Sequence, residues 1–279
     1  MRVSWTLPGS RLTRGGSVKI LVTVKAYPGI GRTEGETVCV AGVRLDTEGP
    51  EWVRLWPVGF RELPTSRQFS KWQIIEVDAT RTSRDRRPES FRPNLETLKL
   101  GETVSTDRGS WRRRSELLGP LLGETTLCAL QRANANGGMA PSLGLVRVRP
   151  GATATIEPGA VWTPERELQA QLAAQPHLLR DQALTPLRPQ KVQVRYHWHC
   201  MDADCRGHSQ ASCDWEVGAS ALKWERLYRD NLHEKLLETY EGKVLAPDRD
   251  THFFVGNQHQ HLGTFMVLGA YYPPLPRQA

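Results

Sequence analysis

The sequence has few cysteines and no apolar run that could span a bilayer. It holds five cysteines in 279 residues, three of them within one fourteen-residue stretch. That is no disulfide framework for a chain of this size. No apolar stretch approaches the roughly 18 residues that a membrane-crossing helix needs, so a helical membrane protein is excluded and no membrane partner is expected. Residues 1–17 are rich in Gly, Ser and Arg and lack the apolar centre of a secretory signal. They read as a disordered leader, with the first apolar segment starting at Val18. A chain without a signal that gathers its thiols in one place is expected to be cytoplasmic and to use them on a metal. Also lacking are an internal repeat of fixed period and a complete catalytic motif.

Acidic residues are in deficit. Lys and Arg number 37 against 30 Asp and Glu, a net charge of +7 with pI ≈ 9.3. A basic surface favours polyanions, nucleic acid above all. Hydrophobic residues make up 39%, enough for packed cores and too many for a disordered chain.

Strands dominate the first half. Val18–Val24, Glu36–Leu45, Trp52–Trp56 and Trp72–Thr80 are short β-branched or alternating runs separated by turn residues. Glu48-Gly49-Pro50 joins the second and third as a hairpin, and Gly42 marks a bulge or a close backbone approach. This spacing predicts a small barrel or sandwich over 18–115, and a β-barrel is the expectation. Residues 116–279 read as a mixed α/β half. Glu116–Gln131 is a short helix broken at Gly119-Pro120, and Leu143–Val148 a strand. Thr163 with Pro164 starts a helix that runs to Ala174. Val192–His199 alternates as a strand, and Val217, Ala221, Trp224, Tyr228, Leu232 and Leu236 mark an amphipathic helix ending near Gly242. Thr251–Val255 and Thr264–Tyr272 are two final strands. The predicted class is α+β.

Between the alternating strand and the long helix lies Cys200-x4-Cys205-x2-His208-x4-Cys213. Thiolates and an imidazole in this density suit tetrahedral zinc. Four ligands leave no open position, so the predicted zinc is structural, and Cys200, Cys205, His208 and Cys213 are its candidate ligands. Cys39 and Cys128 stand alone in apolar surroundings. His197 and His199 read as solvent-facing strand residues, and His259 and His261 as part of a polar hairpin loop.

Asp214 and Glu216 follow the last cysteine, with Lys223 further along the same helix. Two carboxylates at a fixed site suit Mg²⁺ and phosphodiester chemistry, which makes these three the catalytic candidates. The plainer assignment is Asp214 as helix cap and Glu216 in the first turn. Arg81, Arg84, Arg86, Arg87 and Arg92 crowd the charged loop Arg81–Pro93, and Arg112, Arg113 and Arg114 follow Trp111. Arginine forks fit phosphates and aromatics stack on bases, so all eight are candidate nucleic-acid contacts.

The run from Lys19-Ile20-Leu21-Val22 through Val38-Cys39-Val40-Ala41-Gly42 to Trp52-Val53-Arg54-Leu55-Trp56-Pro57 resembles the opening of an uncharacterised family of dual OB-fold proteins, which pair a C-x-A-G strand with a W-[IV]-R strand. The resemblance covers about the first 60 residues. It departs where Leu55 and Trp56 separate Arg54 from the proline. It implies an OB-like barrel and a role in a bacterial conflict or nucleic-acid-processing system, and it offers no assigned catalytic residues to carry over. Three functions therefore compete: a nucleic-acid-binding protein with structural zinc, a metal-dependent nuclease or other nucleic-acid-modifying enzyme using Asp214 and Glu216, and a protein-interaction scaffold.

Overall fold

In a computed structural model, residues 16–31, 34–82, 85–135, 140–176 and 183–276 are described. The first half carries β1 (Gly16–Lys25), β2 (Gly29–Gly31), β3 (Gly35–Arg44), β4 (Glu51–Val58), β5 (Gln73–Arg81) and β6 (Ser90–Thr103). β1 pairs antiparallel with both β3 and β5, β3 with β4, and β5 with β6; the parallel pair β4–β6 closes the ring. Five strands thus form a closed barrel in the order β1-β3-β4-β6-β5, with β2 added to the edge of β3. Inward-facing Val18, Ile20, Val22, Val38, Val40, Val53, Leu55, Ile75 and Val77 fill it. Gly42 stands where β3 crosses β1. A Cβ there would sit 2.2 Å from the Leu21 carbonyl oxygen, beside the irregularity between Val22 and Val24, so the close approach expected of this glycine is present.

Two boundaries move. Gly16 and Ser17, assigned to the leader, begin β1, while residues 1–15 lie outside the described residues. The arginine-rich loop ends at Glu89, so Arg92 and Pro93 belong to β6. That strand was not legible in the sequence. Its second half is largely exposed and its pairing with β5 is twice irregular, so no clean alternation marks it.

The second half carries β7 (Leu143–Arg147), β8 (Thr153–Pro158), β9 (Val192–Trp198), β10 (His208–Ala211), β11 (His252–Asn257) and β12 (Phe265–Tyr271). β7 and β8 form one bent first strand, turned at Gly151 (φ +92°). β8 pairs with β9, β9 with β10, β11 with β7 and β11 with β12, all antiparallel. Single bridges complete the circuit: Val148 to Cys200 antiparallel, and Ser212 to Val267 parallel. Numbered from its own first strand, this order is that of the first barrel, down to the parallel contact between third and fifth strands. The mixed α/β half predicted from sequence is thus a second barrel with helices attached. Its core holds Val146, Val194, Tyr196, Trp198, Phe253, Val255 and Val267.

The helices are α1 (Arg112–Leu118), α2 (Leu127–Asn134), α3 (Pro164–Ala173), α4 (Trp215–Tyr228) and α5 (Leu232–Leu237). Thr163 caps α3 and Asp214 caps α4, each accepting a backbone N–H. The long helix expected after Val217 breaks at Arg229 (φ +44°) and resumes as α5. No described helix is long and apolar enough to cross a membrane.

A third cluster joins the barrels. Leu21, Ala41, Val43, Trp72 and Ile74 of the first meet Leu143, Leu145, Phe254, Leu268 and Tyr271 of the second. Each fully buried side chain of this size contributes about 1.5–3 kcal/mol, so the barrels form one unit. β1 is therefore buried on both faces, which is why it reads as an almost unbroken apolar run. Arg114 is spent here too: its guanidinium lies over the rings of Trp72 (4.2 Å) and Trp111 (5.0 Å), and its Nε donates to the Val104 carbonyl.

Candidate metal centre and loop surface

Cys200 ends the extension of β9, Cys205 lies in the turn after it, and His208 begins β10. The fourth donor comes from far upstream. Cys128, in the first turn of α2, places its Sγ 3.6 Å from Cys200 Sγ and 3.6 Å from His208 Nε2. His208 Nε2 is also 3.4 Å from Cys200 Sγ and 3.2 Å from Cys205 Sγ. All four ligand atoms lie within 4.8 Å of one another. A tetrahedron with metal–sulfur bonds of about 2.3 Å has edges of about 3.7 Å, so the spacing fits a zinc-sized ion.

Cys213 does not join them, and this corrects the candidate ligand set. The chain from His208 to Cys213 is extended, and five residues of strand span about 16 Å. The backbone of Cys213 is held by two hydrogen bonds, from its N–H to the Val267 carbonyl and from the Tyr27 N–H to its own carbonyl. Its thiol lies between the barrels near Cys39 and Arg54, where burial pushes its pKa up to about 12.

Asp202 fastens α2 to the cysteine turn. Its carboxylate accepts from the Thr126 hydroxyl (3.1 Å), from Arg132 (2.6 Å) and from the Asp204 backbone N–H (3.1 Å). Thr126 in turn caps α2 by accepting from Ala129 N. Helix and turn are therefore also joined by protein contacts beside the cluster. Burial pushes the Cys128 thiol up to about 12 and pulls His208 down. At Cys200 burial opposes the thiolate, but backbone N–H donors overcome it and lower its pKa. A cation would offset the burial penalty on the Cys128 thiolate. A shallow polar cavity of ≈ 420 Å³ opens beside the cluster, lined by Arg206 and Gln210 among others. As expected, His199 is exposed, while His197 is half-buried on the outer face of β9 with Nε2 3.1 Å from the Thr155 hydroxyl.

Asp214 and Glu216 are occupied. Lys71 Nζ is 2.8 Å from Asp214 Oδ2 and 3.1 Å from Glu216 Oε2. Burial alone would pull Lys71 down, but the two carboxylates overcome it and hold its pKa above the usual lysine value. Burial pushes the Asp214 carboxyl up against the opposing pull of Lys71. Lys223 is exposed, two helical turns from Glu216. The capping role of Asp214 is thus present (Glu216 N to Asp214 Oδ1, 3.1 Å), and the Mg²⁺ arrangement is not. Among the described residues these acids gain no third metal-binding partner.

Lys25 borders the same cluster, its ammonium over the rings of Phe60 (3.9 Å) and Trp215 (4.6 Å). Burial lowers its pKa to about 8. Between that value and the ordinary 10.5 the unfolded chain holds a proton that the folded one has released, so this group's contribution to stability rises with pH across that window. Lys25→Met is expected to leave stability at pH 7 unchanged or higher and to remove that rise. Urea midpoints measured from pH 7 to 10 check it, and an unaltered slope refutes it.

The predicted arginines separate into three groups. Arg87 is locked inward: its Nε and Nη2 grip Asp85 (2.9 and 2.7 Å), and its Nη1 donates to the Asn257 carbonyl (2.9 Å). Burial works against the Asp85 charge, yet Arg87 holds its carboxyl well below the usual range. Arg114 is sandwiched as described, and Arg112 and Arg113 share Glu116 on α1. Arg81, Arg86 and Arg92 are exposed; Arg84 lies outside the described residues. Arg92 reaches Glu34, on the connection between β1 and β3, at 3.4 Å. Sequence reasoning missed Trp56, which is 40% exposed on β4. The parallel register Arg54–Ser90, Leu55–Phe91 places Arg92 beside it one step further on.

Fold and site define an α+β protein of two barrels whose first half is compatible with an OB-like fold and whose second half holds a Cys₃His cluster. The chain belongs to the family described as "Domain of unknown function (DUF8757)", whose profile matches residues 123–279; a second, "Domain of unknown function (DUF8758)", matches residues 16–120. No curated protein matches it. Among solved structures it is similar to the p204 HINb domain (TM-score 0.30, 8% identity, 95% of this chain and 100% of that one). It is also similar to a murine DNA-binding protein bound with double-stranded DNA (TM-score 0.28, 8% identity, 92% and 97%).

Proposed function

We propose that this chain is a nucleic-acid-binding protein whose second barrel is held by a structural zinc ion at Cys128, Cys200, Cys205 and His208. One observation carries the binding role. The loop with Arg86, entered from Arg81, joins the fourth strand of the first barrel to the fifth, and Arg92 on that fifth strand meets the connection between first and second strands. In barrels of this strand order, these two connections hold oligonucleotides. The broad face of β3 is closed to a ligand because Ala41 and Val43 lie under the second barrel, so the loops and the rim at Trp56 are what remain. Arginines suit phosphates and an exposed tryptophan suits an unstacked base, which favours single strands over duplex.

The test is a salt titration of anisotropy with labelled single-stranded DNA, single-stranded RNA and duplex. Replacing Arg81, Arg86 and Arg92 with Ala is expected to weaken binding and to flatten the log–log salt slope by about 0.7 per lost contact. Trp56→Ala should cost roughly 1–3 kcal/mol on single strands and little on duplex. No binding to any of the three at low salt would overturn the reading and leave the scaffold role.

A further inference from the structure

We infer that the nucleic-acid surface does not end with the first barrel but crosses to the second, over a rim built from the matching loops of both. The inference rests on the nucleic-acid-binding reading and adds the second half of the site. In the second barrel the fourth and fifth strands are β11 and β12, and residues 258–264 connect them. This is the topological counterpart of the arginine loop at 82–89.

The two loops are fastened together. Arg87, from the first, donates to the Asn257 carbonyl at the base of the second, and Asp85 Oδ1 lies 3.3 Å from His259 Nδ1. Below them Glu89 accepts from the backbone N–H (2.8 Å) and hydroxyl (2.7 Å) of Ser142, whose carbonyl accepts from Asn257 N (3.0 Å). Arg54 donates to the same serine.

This fastening sorts the charges. Asp85 and Glu89, the acids that balance the arginine loop in the sequence, are both buried and turned toward the second barrel. Arg81 and Arg86 are left facing solvent. Across the junction Gln258, His259, Gln260 and His261 are all exposed, and no acid occurs between 258 and 264. Among the described residues, the two loops therefore turn guanidinium, amide and imidazole groups outward while their own acids, Asp85 and Glu89, are buried. Such a row fits a phosphodiester backbone with bases open to hydrogen bonding, that is, a single strand long enough to touch both barrels. Single-strand-binding barrels cover about 4–16 nucleotides each, so the full site takes on the order of two such lengths.

The experiment compares wild type, the Arg81→Ala/Arg86→Ala pair and the Gln260→Glu/His261→Glu pair by anisotropy on a labelled single strand of about 30 nucleotides. Gln260 and His261 are exposed and take no part in the Asp85 contact, so melting temperature and metal content should be unchanged and serve as folding controls. Two carboxylates placed against phosphates should weaken binding on the order of ten-fold at low salt, with the penalty shrinking as salt screens it. Weakening by both pairs supports the two-barrel surface. Weakening by the arginine pair alone overturns it while the binding role stands. Absence of wild-type binding overturns both.

Discussion

Cys128→Ser should leave the purified protein with well under half an equivalent of zinc, while Cys213→Ala should keep about one. The first substitution removes one corner of a four-donor cluster whose atoms are already at ligand spacing. Metal binding and local folding are then a single equilibrium, with apparent binding free energies of about 10–16 kcal/mol in small zinc domains. The second barrel should therefore lose far more stability than one buried thiol can account for. Because α2 meets the cysteine turn through Cys128 and the Asp202 contacts with Thr126 and Arg132, loosening there should be visible as faster amide exchange over residues 127–134. Cys213→Ala removes one buried sulfur at the barrel junction and should cost about 1 kcal/mol. Elemental analysis with thermal melts checks both. Metal retained in the Cys128 variant, or lost in the Cys213 variant, would refute the ligand assignment.

The second large effect is expected at Lys71. Its ammonium is buried and neutralises the buried Asp214 and the more exposed Glu216. Lys71→Met leaves the Asp214 charge without a partner inside the junction between the barrels, a loss of about 3–5 kcal/mol. Adding Asp214→Asn removes the stranded charge while keeping a side-chain oxygen to cap α4. The double variant should therefore be more stable than the lysine variant alone. The sign of its pH dependence follows from the raised lysine pKa: the contribution is present in full below the ordinary value of 10.5 and is lost only as pH rises through the higher folded value. Urea unfolding of the two variants and wild type at pH 7 measures this. A cost under 1 kcal/mol for Lys71→Met would show that water reaches the pair and that Asp214 is free for other chemistry.

The sequence by itself determined most of the local structure, because alternation, caps and turn residues act over a few positions. β1, β3, β4, β9, β11 and β12 follow from β-branched or alternating runs, and α3 from Thr163-Pro164. Gly42 announced the crossing of β1 and β3, and the opening strands resemble a dual OB-fold family whose barrel order the pairings are compatible with. Three of the four candidate metal donors were legible for the same reason, since Cys200, Cys205 and His208 lie within nine residues.

Only the tertiary structure decided the rest. Cys128 lies 72 residues before Cys200 and reaches the cluster because α2 docks on the second barrel, while Cys213, close in sequence, is carried away along an extended strand. Lys71 is 143 residues from Asp214, and their pairing turns an apparent metal site into an ion pair. The eight arginines look alike in sequence. Which of the described ones face solvent is set by tertiary partners, Asn257 of the second barrel for Arg87 and the Trp72–Trp111 pair for Arg114. The second barrel repeats the order of the first with no repeat in the sequence, because strand order depends on which backbones pair and needs only an apolar inner face, not the same residues, to specify it.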